Sequence, residues 1–127
     1  MILADTSVRV DHLRRTDAAW RAALEANEIC IHPMVIGELA CGNLRNRTIL
    51  VNLQLLPQAT VATHDEALPM MEQHKLMGRG VGFVDVHLLA SAKLSTAVVW
   101  TRDKRLAAIA GEIELASAGV SRLSTRA

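Results

Sequence analysis

The clearest strand in this sequence is Ala97-Val98-Val99-Trp100, and a helical pattern over Asp103–Ala110 follows it closely. Four apolar residues in a row, bounded by the polar stretch Thr101-Arg102-Asp103, are typical of a strand that is buried on both faces. A buried strand that leads into a helix is the repeating unit of folds with a parallel sheet. We therefore expect a strand and a flanking helix in this part of the chain.

The same alternation of short apolar runs and longer helical patterns extends through the rest of the chain. Further strands are predicted at Met1–Ala4, Glu28–Ile31, Ala59–Ala62 and Ile113–Leu115. Further helices are predicted at Asp17–Asn27, Pro33–Cys41, Ile49–Leu56, Asp65–Met77 and Val84–Leu94. This order predicts an α/β fold, a three-layer α/β/α sandwich around a central parallel sheet of about four to five short strands. In such folds, sites lie beyond the carboxyl ends of the strands.

Length and composition indicate one globular domain, residues 1–127. The 127 residues are 50% hydrophobic, with a mean hydropathy of +0.21, which suits a single core. The net charge of +1 identifies no nucleic-acid or membrane partner. No apolar run approaches the ~20 residues that cross a bilayer. Cys30 and Cys41 match no metal or disulfide spacing, and no signal-peptide pattern is present. We expect a reduced, cytoplasmic protein with a flexible tail at residues 120–127.

Four carboxylates occupy unusual places in this pattern. Asp5 follows the first predicted strand and Asp103 follows the clearest one, so both are expected at the carboxyl edge of the sheet. Capping of the next helix is the ordinary role of such an aspartate and stays open for both. Glu38 and Asp85 lie in helical patterns with apolar neighbours, so we expect each on a buried face. Capping by Asp85 and a solvent-directed Glu38 are the ordinary alternatives.

A shared edge would give these acids a common chemistry. Four carboxylates close together repel one another and raise their own pKa values. A hard divalent cation removes that repulsion, because Mg²⁺ and Mn²⁺ prefer oxygen ligands, and the same ion activates water and neutralises phosphate. No lysine lies in the immediate sequence neighbourhood of Asp5, Glu38 or Asp85 to pair with them. The acids therefore predict a Mg²⁺ site, with Mn²⁺ as an alternative, provided that the sheet brings them together.

Four motifs in order carry a resemblance to a known family. They are Leu3-Ala4-Asp5-Thr6-Ser7-Val8, Val35-Ile36-Gly37-Glu38-Leu39-Ala40-Cys41-Gly42, Gly82-Phe83-Val84-Asp85-Val86-His87-Leu88-Leu89-Ala90-Ser91-Ala92 and Trp100-Thr101-Arg102-Asp103-Lys104-Arg105-Leu106. Together they resemble the acidic motifs of PIN domains over residues 2–115. The resemblance is closest to the VapC-type toxins of bacterial toxin–antitoxin pairs. One such motif alone is weak, whereas four in this order are specific.

The resemblance implies a PIN-like fold and a metal-dependent endoribonuclease, a hydrolase that cuts phosphodiester bonds in RNA. Carried over by position, the catalytic and metal-binding acids are Asp5, Glu38, Asp85 and Asp103. The three aspartates are the expected direct ligands of one metal, and Glu38 is expected to act through a second metal or through water. Relatives often carry an aromatic residue four positions after the first aspartate, where this chain has Arg9. That difference concerns packing or a partner contact rather than the acids.

Small polar and basic residues beside the acids are candidates for binding or orienting the substrate. Ser7 and Thr101 match hydroxyl positions next to the site in the family, and they are expected to orient carboxylates or water. Arg102, Lys104 and Arg105 surround the last aspartate and are candidate phosphate contacts, since arginine suits two-point contacts with phosphate. Solvated charges at a helix end are the ordinary alternative.

Aromatic content and apolar segments bear on the partners. Of the three aromatic residues, Trp20 and Trp100 are expected in the core, which leaves Phe83. A structured RNA read by shape and phosphate therefore fits better than extensive base stacking, and the resemblance makes tRNA or rRNA the expected class. It also implies a small VapB-like antitoxin. Apolar residues in segments 11–27 and 44–56 suggest a homodimer face or an antitoxin groove, with ordinary core packing as the alternative.

Alternatives from other classes stay open at this point. The protein could act mainly as a binding module, in an antitoxin complex on DNA, with little catalysis. A phosphatase of the haloacid-dehalogenase type also places an aspartate after its first strand, but it needs a second one two residues later, where this chain has Ser7. A response-regulator receiver needs paired acids at that strand end and a later lysine, and neither is clear. Five histidines without an H-x-x-x-H pair do not favour a zinc site.

Overall fold

The computed structural model describes residues 1–8 and 18–116. Its strands are β1 (Ile2–Ala4), β2 (Ile29–Cys30) and β3 (Val98–Trp100), and a short 3-10 helix over Thr6–Val8 follows β1. Its α-helices are α1 (Ala18–Glu25), α2 (Pro33–Cys41), α3 (Thr48–Gln54), α4 (His64–Gln73), α5 (Phe83–Leu94) and α6 (Lys104–Glu112). Arg9 and the tail predicted at 120–127 lie outside the described residues.

The three strands form one parallel sheet in the order β2-β1-β3. In the central strand, Leu3 pairs with Cys30 on one side and with Val99 on the other. Every residue of β1 is buried, as expected for a central parallel strand whose two faces are covered by helices. The predicted α/β class, with a parallel sheet flanked by helices, is confirmed. The residue that follows β1 therefore lies at the centre of the carboxyl edge.

The prediction of a strand at Ala59–Ala62 is wrong. The sheet is extended near this segment only by a single parallel bridge between Gln58 and Ile31. Two backbone N–H groups of this segment donate instead to serine hydroxyls, Thr60 to Ser95 Oγ at 2.8 Å and Ala62 to Ser91 Oγ at 3.0 Å. Because these two N–H groups are bonded to serines near and just beyond the end of α5, they are not available for hydrogen bonds to a neighbouring strand. The segment therefore runs beside the sheet as irregular chain.

The strand predicted at Ile113–Leu115 is also wrong. The N–H of Ile113 donates to the carbonyl of Ile109 at 3.1 Å, and the N–H of Leu115 donates to that of Ala110 at 2.7 Å. These bonds complete the last turns of α6, and the next residue makes only a single parallel bridge to β3. The sheet consequently has three strands and two isolated bridges in the described residues, where about four to five short strands were expected.

Helix α5 is the most buried helix of the described part, since all seven residues of Val86–Ala92 are buried. It packs against β3 and α4. Trp20 of α1 and Trp100 of β3 are also buried, with ring centroids 5.0 Å apart, as expected for core residues. The first turn of α5 differs, because its residues are exposed or only partly buried. The start of α5 is thus anchored by buried residues of the same helix and still accessible.

Two further sequence expectations concern cysteines and membranes. Cys30 is buried in β2, which raises the pKa of its thiol, and Cys41 is exposed; both are free thiols. Across residues 1–8 and 18–116, none of the helices combines the length and apolar character that a bilayer crossing requires.

Candidate active site

Asp5 directly follows β1 at the centre of the carboxyl edge. Its backbone N–H donates to the carbonyl oxygen of Trp100 at 3.0 Å, which continues the contact between β1 and β3 by one residue. Asp5 is only 5% exposed. Its carboxylate accepts hydrogen bonds from three hydroxyl groups: Thr6 at 3.1 Å, Ser7 at 2.8 Å and Thr101 at 2.5 Å. The side chain is therefore held in one orientation by neutral donors, which leave its negative charge in place.

Backbone amides fix the direction in which two of these hydroxyls donate. The N–H of Arg102 donates to Ser7 Oγ at 2.9 Å, and the N–H of Asp103 donates to Thr101 Oγ1 at 3.0 Å. Each hydroxyl has one hydrogen, and with an amide donating into its oxygen that hydrogen is directed at Asp5 Oδ2. The hydroxyl oxygens of Ser7 and Thr101 are 3.0 Å apart, so the ends of β1 and β3 converge on the same carboxylate.

Glu38 lies in the middle of α2, and its side chain is exposed. The prediction that it lies on a buried face is wrong: Val35 is the one fully buried residue of this helix, whose other positions are open or partly covered. Helix α2 contacts the short 3-10 helix, and Thr6 Oγ1 of that helix lies 3.4 Å from Glu38 Oε2. The same hydroxyl contacts Asp5, so the glutamate is joined to the end of β1 through Thr6.

Asp85 is the third residue of α5, and it is partly buried. Its Oδ2 accepts a hydrogen bond from the backbone N–H of Gly82 at 3.2 Å, so it contributes to capping the helix, as the ordinary alternative held. Burial raises the pKa of the Asp85 carboxyl, and the negative charges of Asp5 and Asp103 raise this pKa further, while the Gly82 N–H opposes them. The three aspartates therefore share one electrostatic environment.

Asp103 is the N-cap residue of α6, and its side chain is exposed. Its Oδ1 accepts hydrogen bonds from the N–H groups of Arg105 at 2.9 Å and Leu106 at 3.1 Å. The capping role considered from the sequence is thus real, but it uses one oxygen. Within the described residues, Oδ2 has no hydrogen-bond partner. Capping and a second role at the sheet edge are compatible.

We call the four predicted acids the acidic site (Asp5, Glu38, Asp85 and Asp103), and Asp5 lies at its centre. Thr6 joins it to Glu38, and its charge acts on Asp85 together with that of Asp103. The one ion pair found in the described part of the chain involves none of these residues. No basic side chain described by the structure therefore forms an ion pair with the acidic site.

The chemistry of the acidic site fits a hard divalent cation. Its donors are carboxylate and hydroxyl oxygens, which Mg²⁺ and Mn²⁺ prefer, and its like charges have no other neutralising partner in the described residues. Within residues 1–8 and 18–116, no three His, Cys, Asp or Glu side chains are close enough together to hold a metal as they stand. Binding would have to draw the carboxylates inward, and exposed Glu38 has room to change its rotamer.

Sequence reasoning did not single out Thr6 or the pairing of two histidines. Thr6 follows Asp5 directly, and a small hydroxyl residue beside a strand-end acid is the signal that could have indicated it. His64 Nδ1 of α4 lies 3.0 Å from His87 Nε2 of α5, and Phe83 stacks on His64 with centroids 5.1 Å apart. The two histidines come from different helices, so no spacing within one helix could reveal their contact.

Comparison with known proteins identifies the family. The family model described as PIN domain matches residues 2–112. The chain belongs to the PIN-domain family. This PIN domain is 46% identical over 120 residues to "Ribonuclease VapC32" of Mycobacterium tuberculosis, in strains CDC 1551 / Oshkosh and ATCC 25618 / H37Rv. The matched region covers 93% of this chain and 97% of the relative, which confirms the predicted resemblance to VapC-type PIN domains.

A solved structure shares the fold of this PIN domain. The crystal structure of PAE2754 from Pyrobaculum aerophilum superimposes with a TM-score of 0.63, covering 98% of this chain and 95% of the other. The two sequences are 18% identical. At that identity the likeness shows the PIN fold, and it agrees with the parallel sheet described above.

Proposed function

We propose that this PIN domain is a metal-dependent endoribonuclease that acts in the cytoplasm as the toxin of a bacterial toxin–antitoxin pair. The observation that carries the proposal is the acidic site, in which Thr6 and Thr101 connect Asp5 with Glu38 and Asp103, and the charges of Asp5 and Asp103 act on Asp85. None of the four acids has a basic ion-pair partner in the described residues. Further support for the proposal is the ribonuclease name of a relative that is 46% identical over 93% of the chain. The proposed catalytic and metal-binding residues are Asp5, Glu38, Asp85 and Asp103.

The four acids would hold Mg²⁺, or Mn²⁺ in its place, which when bound would supply a Lewis acid to activate water and neutralise charge on phosphate. The chain's own residues prepare the site for it. Ser7 and Thr101 hold the Asp5 carboxylate in one orientation, which fixes the central ligand. Asp103 keeps Oδ2 available while Oδ1 caps α6. Glu38 is exposed, and its proposed role is to act through a second metal or through water.

The proposed reaction is hydrolysis by water, without a covalent intermediate on a side chain. The hydroxyl of Ser7 is already engaged: it donates to the Asp5 carboxylate and accepts from the N–H of Arg102. A hydroxyl committed in this way orients a ligand rather than attacking phosphorus. The same arrangement argues against a haloacid-dehalogenase-type phosphatase, because the position of its second aspartate is filled by a serine that serves the first.

The proposed substrate is a structured RNA, with tRNA or rRNA as the class. The two tryptophans are buried, and the third aromatic residue, Phe83, is 37% exposed, so the described surface offers little for extended base stacking. Recognition then depends on phosphate contacts and shape. Arg102 keeps its exposed side chain as a candidate for such a contact, while its backbone N–H is bound to Ser7.

The proposed partners are a VapB-like antitoxin and a second copy of the chain. Within the predicted apolar segment 44–56, Ile49 and Leu53 are buried in the core, as the packing alternative held. Val51 and Leu55 of the same segment are 58% and 80% exposed, which suits a contact with another protein. The alternative hypothesis, a binding module with little catalysis, predicts the same antitoxin partner, so a cleavage assay is needed to distinguish it from the ribonuclease.

The test is RNA cleavage by the purified protein with Mg²⁺, with and without a chelator. We expect cleavage that EDTA abolishes and that Asp5→Asn or Asp85→Asn lowers at least about 100-fold, because each removes a charged ligand oxygen. Glu72→Gln is the matched control, since it removes one exposed carboxylate from α4 and is expected to leave the rate unchanged. Circular dichroism checks that each variant is folded.

Full activity of a folded Asp5→Asn protein would overturn the mechanism. Cleavage that persists unchanged in EDTA would overturn the metal requirement. A wild-type protein that binds an antitoxin and DNA but cuts no RNA would favour the binding module.

A further inference from the structure

A glycine-containing loop, residues 78–82, lies against the start of α6. Gly80 has φ +82°, in the left-handed region, and a Cβ built there would lie 2.8 Å from both Cδ and Nη1 of Arg105. The side chain of Arg105 is therefore packed directly on the backbone of Gly80. A side chain at position 80 would displace the guanidinium, since no side-chain atom can share that space.

A second arginine fixes this loop to the other end of α6. Arg79 donates to both carboxylate oxygens of Glu112, at 2.6 and 2.8 Å, in a two-point ion pair. The two arginines differ in whether they have an ion-pair partner. Arg79 is neutralised by its partner, whereas Arg105 has no ion pair in the described residues. Of these two, Arg105 of α6 is therefore the arginine without an ion-pair partner in the described residues.

Backbone hydrogen bonds connect Arg105 and the glycine-containing loop with two residues of the acidic site, Asp103 and Asp85. The backbone N–H of Arg105 donates to Asp103 Oδ1, and Gly82, two residues after Gly80, donates its N–H to Asp85 Oδ2. Arg105 thus lies two residues after one carboxylate of the site, and its side chain packs on the loop that leads to the other. It is nevertheless held on Gly80 and makes no ion pair with either of them in the described residues. An exposed guanidinium without an ion-pair partner in the described residues is available to an outside anion.

We propose that Arg105 binds a backbone phosphate of the RNA next to the bond that is cut, with Gly80 holding the guanidinium in place. This phosphate subsite rests on the proposed ribonuclease function. Guanidinium binds phosphate through two parallel N–H donors, and a fixed guanidinium loses less conformational freedom on binding. Arg102, Lys104 and Arg105 all lack a side-chain hydrogen bond or ion pair in the described residues, and Arg105 is distinguished by its packing on Gly80. The structure thus favours Arg105 among the three.

Binding is measured in an Asp5→Asn background, where the RNA stays intact, with fluorescently labelled bulk bacterial tRNA as the probe. In this background we expect Arg105→Gln to weaken the affinity on the order of tenfold. Between about 50 and 200 mM KCl, the slope of log Kd against log salt should fall by roughly 0.7 to 1, the value for one lost phosphate contact. Arg105→Lys keeps the charge, so it should retain most of the slope while losing affinity.

Two variants separate a phosphate contact from a general or structural effect. Lys93→Gln removes the same charge near the far end of α5 and should leave both affinity and slope unchanged. Gly80→Ala should displace the guanidinium without changing the net charge, and so weaken binding; it also strains the left-handed backbone at position 80, which should lower the Tm. Combined with Arg105→Gln, it should cause no further loss, because both changes remove the same contact. Thermal unfolding of every variant checks the fold.

The outcomes distinguish this inference from the function on which it rests. If Asp5→Asn abolishes cleavage in the active protein but Arg105→Gln changes affinity and slope no more than Lys93→Gln, the phosphate subsite is wrong and the nuclease stands. Additive losses for Gly80→Ala and Arg105→Gln would likewise overturn the subsite. If Asp5→Asn cleaves RNA like the wild type, the nuclease proposal itself fails.

Discussion

The hydroxyl of Thr101 donates to Asp5 Oδ2 at 2.5 Å, although 96 positions of sequence separate the two residues. The contact is possible because β1 and β3 are parallel neighbours, so both chains leave the sheet at the same edge. Thr101 Oγ1 also accepts the N–H of Asp103 at 3.0 Å. One hydroxyl therefore connects the carboxylate of Asp5 with the backbone of Asp103.

We expect Thr101→Val, which replaces the hydroxyl by a methyl group of similar volume, to lower RNA cleavage by about 10- to 100-fold. The change leaves Asp5 Oδ2 with one hydroxyl donor fewer and leaves the N–H of Asp103 without its acceptor. Because ligand orientation is affected, the Mg²⁺ concentration for half-maximal cleavage should rise. The measurement is the cleavage rate as a function of Mg²⁺ concentration.

Thr101→Ser is the matched control, since it keeps the hydroxyl and should retain most of the activity. Equal activity of the valine and serine variants would show that the hydroxyl does not orient Asp5 for the reaction.

Removal of one like charge from the acidic site should stabilise the protein when no metal is bound. Burial and the charges of Asp5 and Asp103 raise the pKa of Asp85, so the ionised form is disfavoured in the folded state. A carboxyl with a raised folded pKa contributes stability at low pH, and this is lost as pH rises through that pKa. Asp85→Asn removes the charge and keeps an oxygen for the Gly82 N–H.

We therefore expect a higher Tm for Asp85→Asn than for the wild type in EDTA at neutral pH. Mg²⁺ should then raise the Tm of the wild type and raise that of the variant less, because a ligand of the folded state stabilises it. Thermal unfolding with and without Mg²⁺ measures both effects. A variant that is less stable than the wild type in EDTA would contradict the electrostatic account of the site.

The parts of the fold that sequence predicted well are those buried by apolar runs. Leu3 and Val99 lie in strands that are covered on both faces, and a continuous apolar run is sufficient to indicate such a strand. The segment at Ala59–Ala62 was predicted as a strand, but two of its backbone N–H groups donate to Ser91 and Ser95 instead of to a neighbouring strand. Those serines lie about 30 residues away, and a local pattern cannot show such long-range competition.

The candidate site shows the same division. Asp5 and Asp103 were placed at the carboxyl edge because strand ends in a parallel sheet share one edge. Glu38 was expected on a buried face, with a solvent-directed side chain only as the alternative, and the alternative holds because the apolar neighbours of Glu38 lie on a helix that covers little of the core. The packing of Arg105 on Gly80 was not foreseen, because it depends on a left-handed glycine in a distant loop.

Folding stability should fall as pH decreases, because His32 is fully buried and must stay neutral. Its Nδ1 accepts the N–H of Met34 at 3.0 Å, so the proton lies on Nε2, which donates to Ser91 Oγ at 3.1 Å. A second proton, on Nδ1, would face the Met34 donor. Burial lowers the pKa of His32, and the nearby imidazole of His87 lowers it further.

Between the folded and unfolded pKa values, the unfolded chain binds more protons at this position, so stability increases with pH there. The His32 contribution is complete above the unfolded pKa of about 6.5 and is lost as pH falls to the lower folded value. Urea unfolding at several pH values measures this slope in the wild type. His32→Asn keeps an oxygen that can accept from Met34 and carries no titrating group, so its stability should depend less on pH below about 6.5. Identical pH slopes for the two proteins would show that His32 is not protonated on unfolding in this range, contrary to its buried, singly protonated placement.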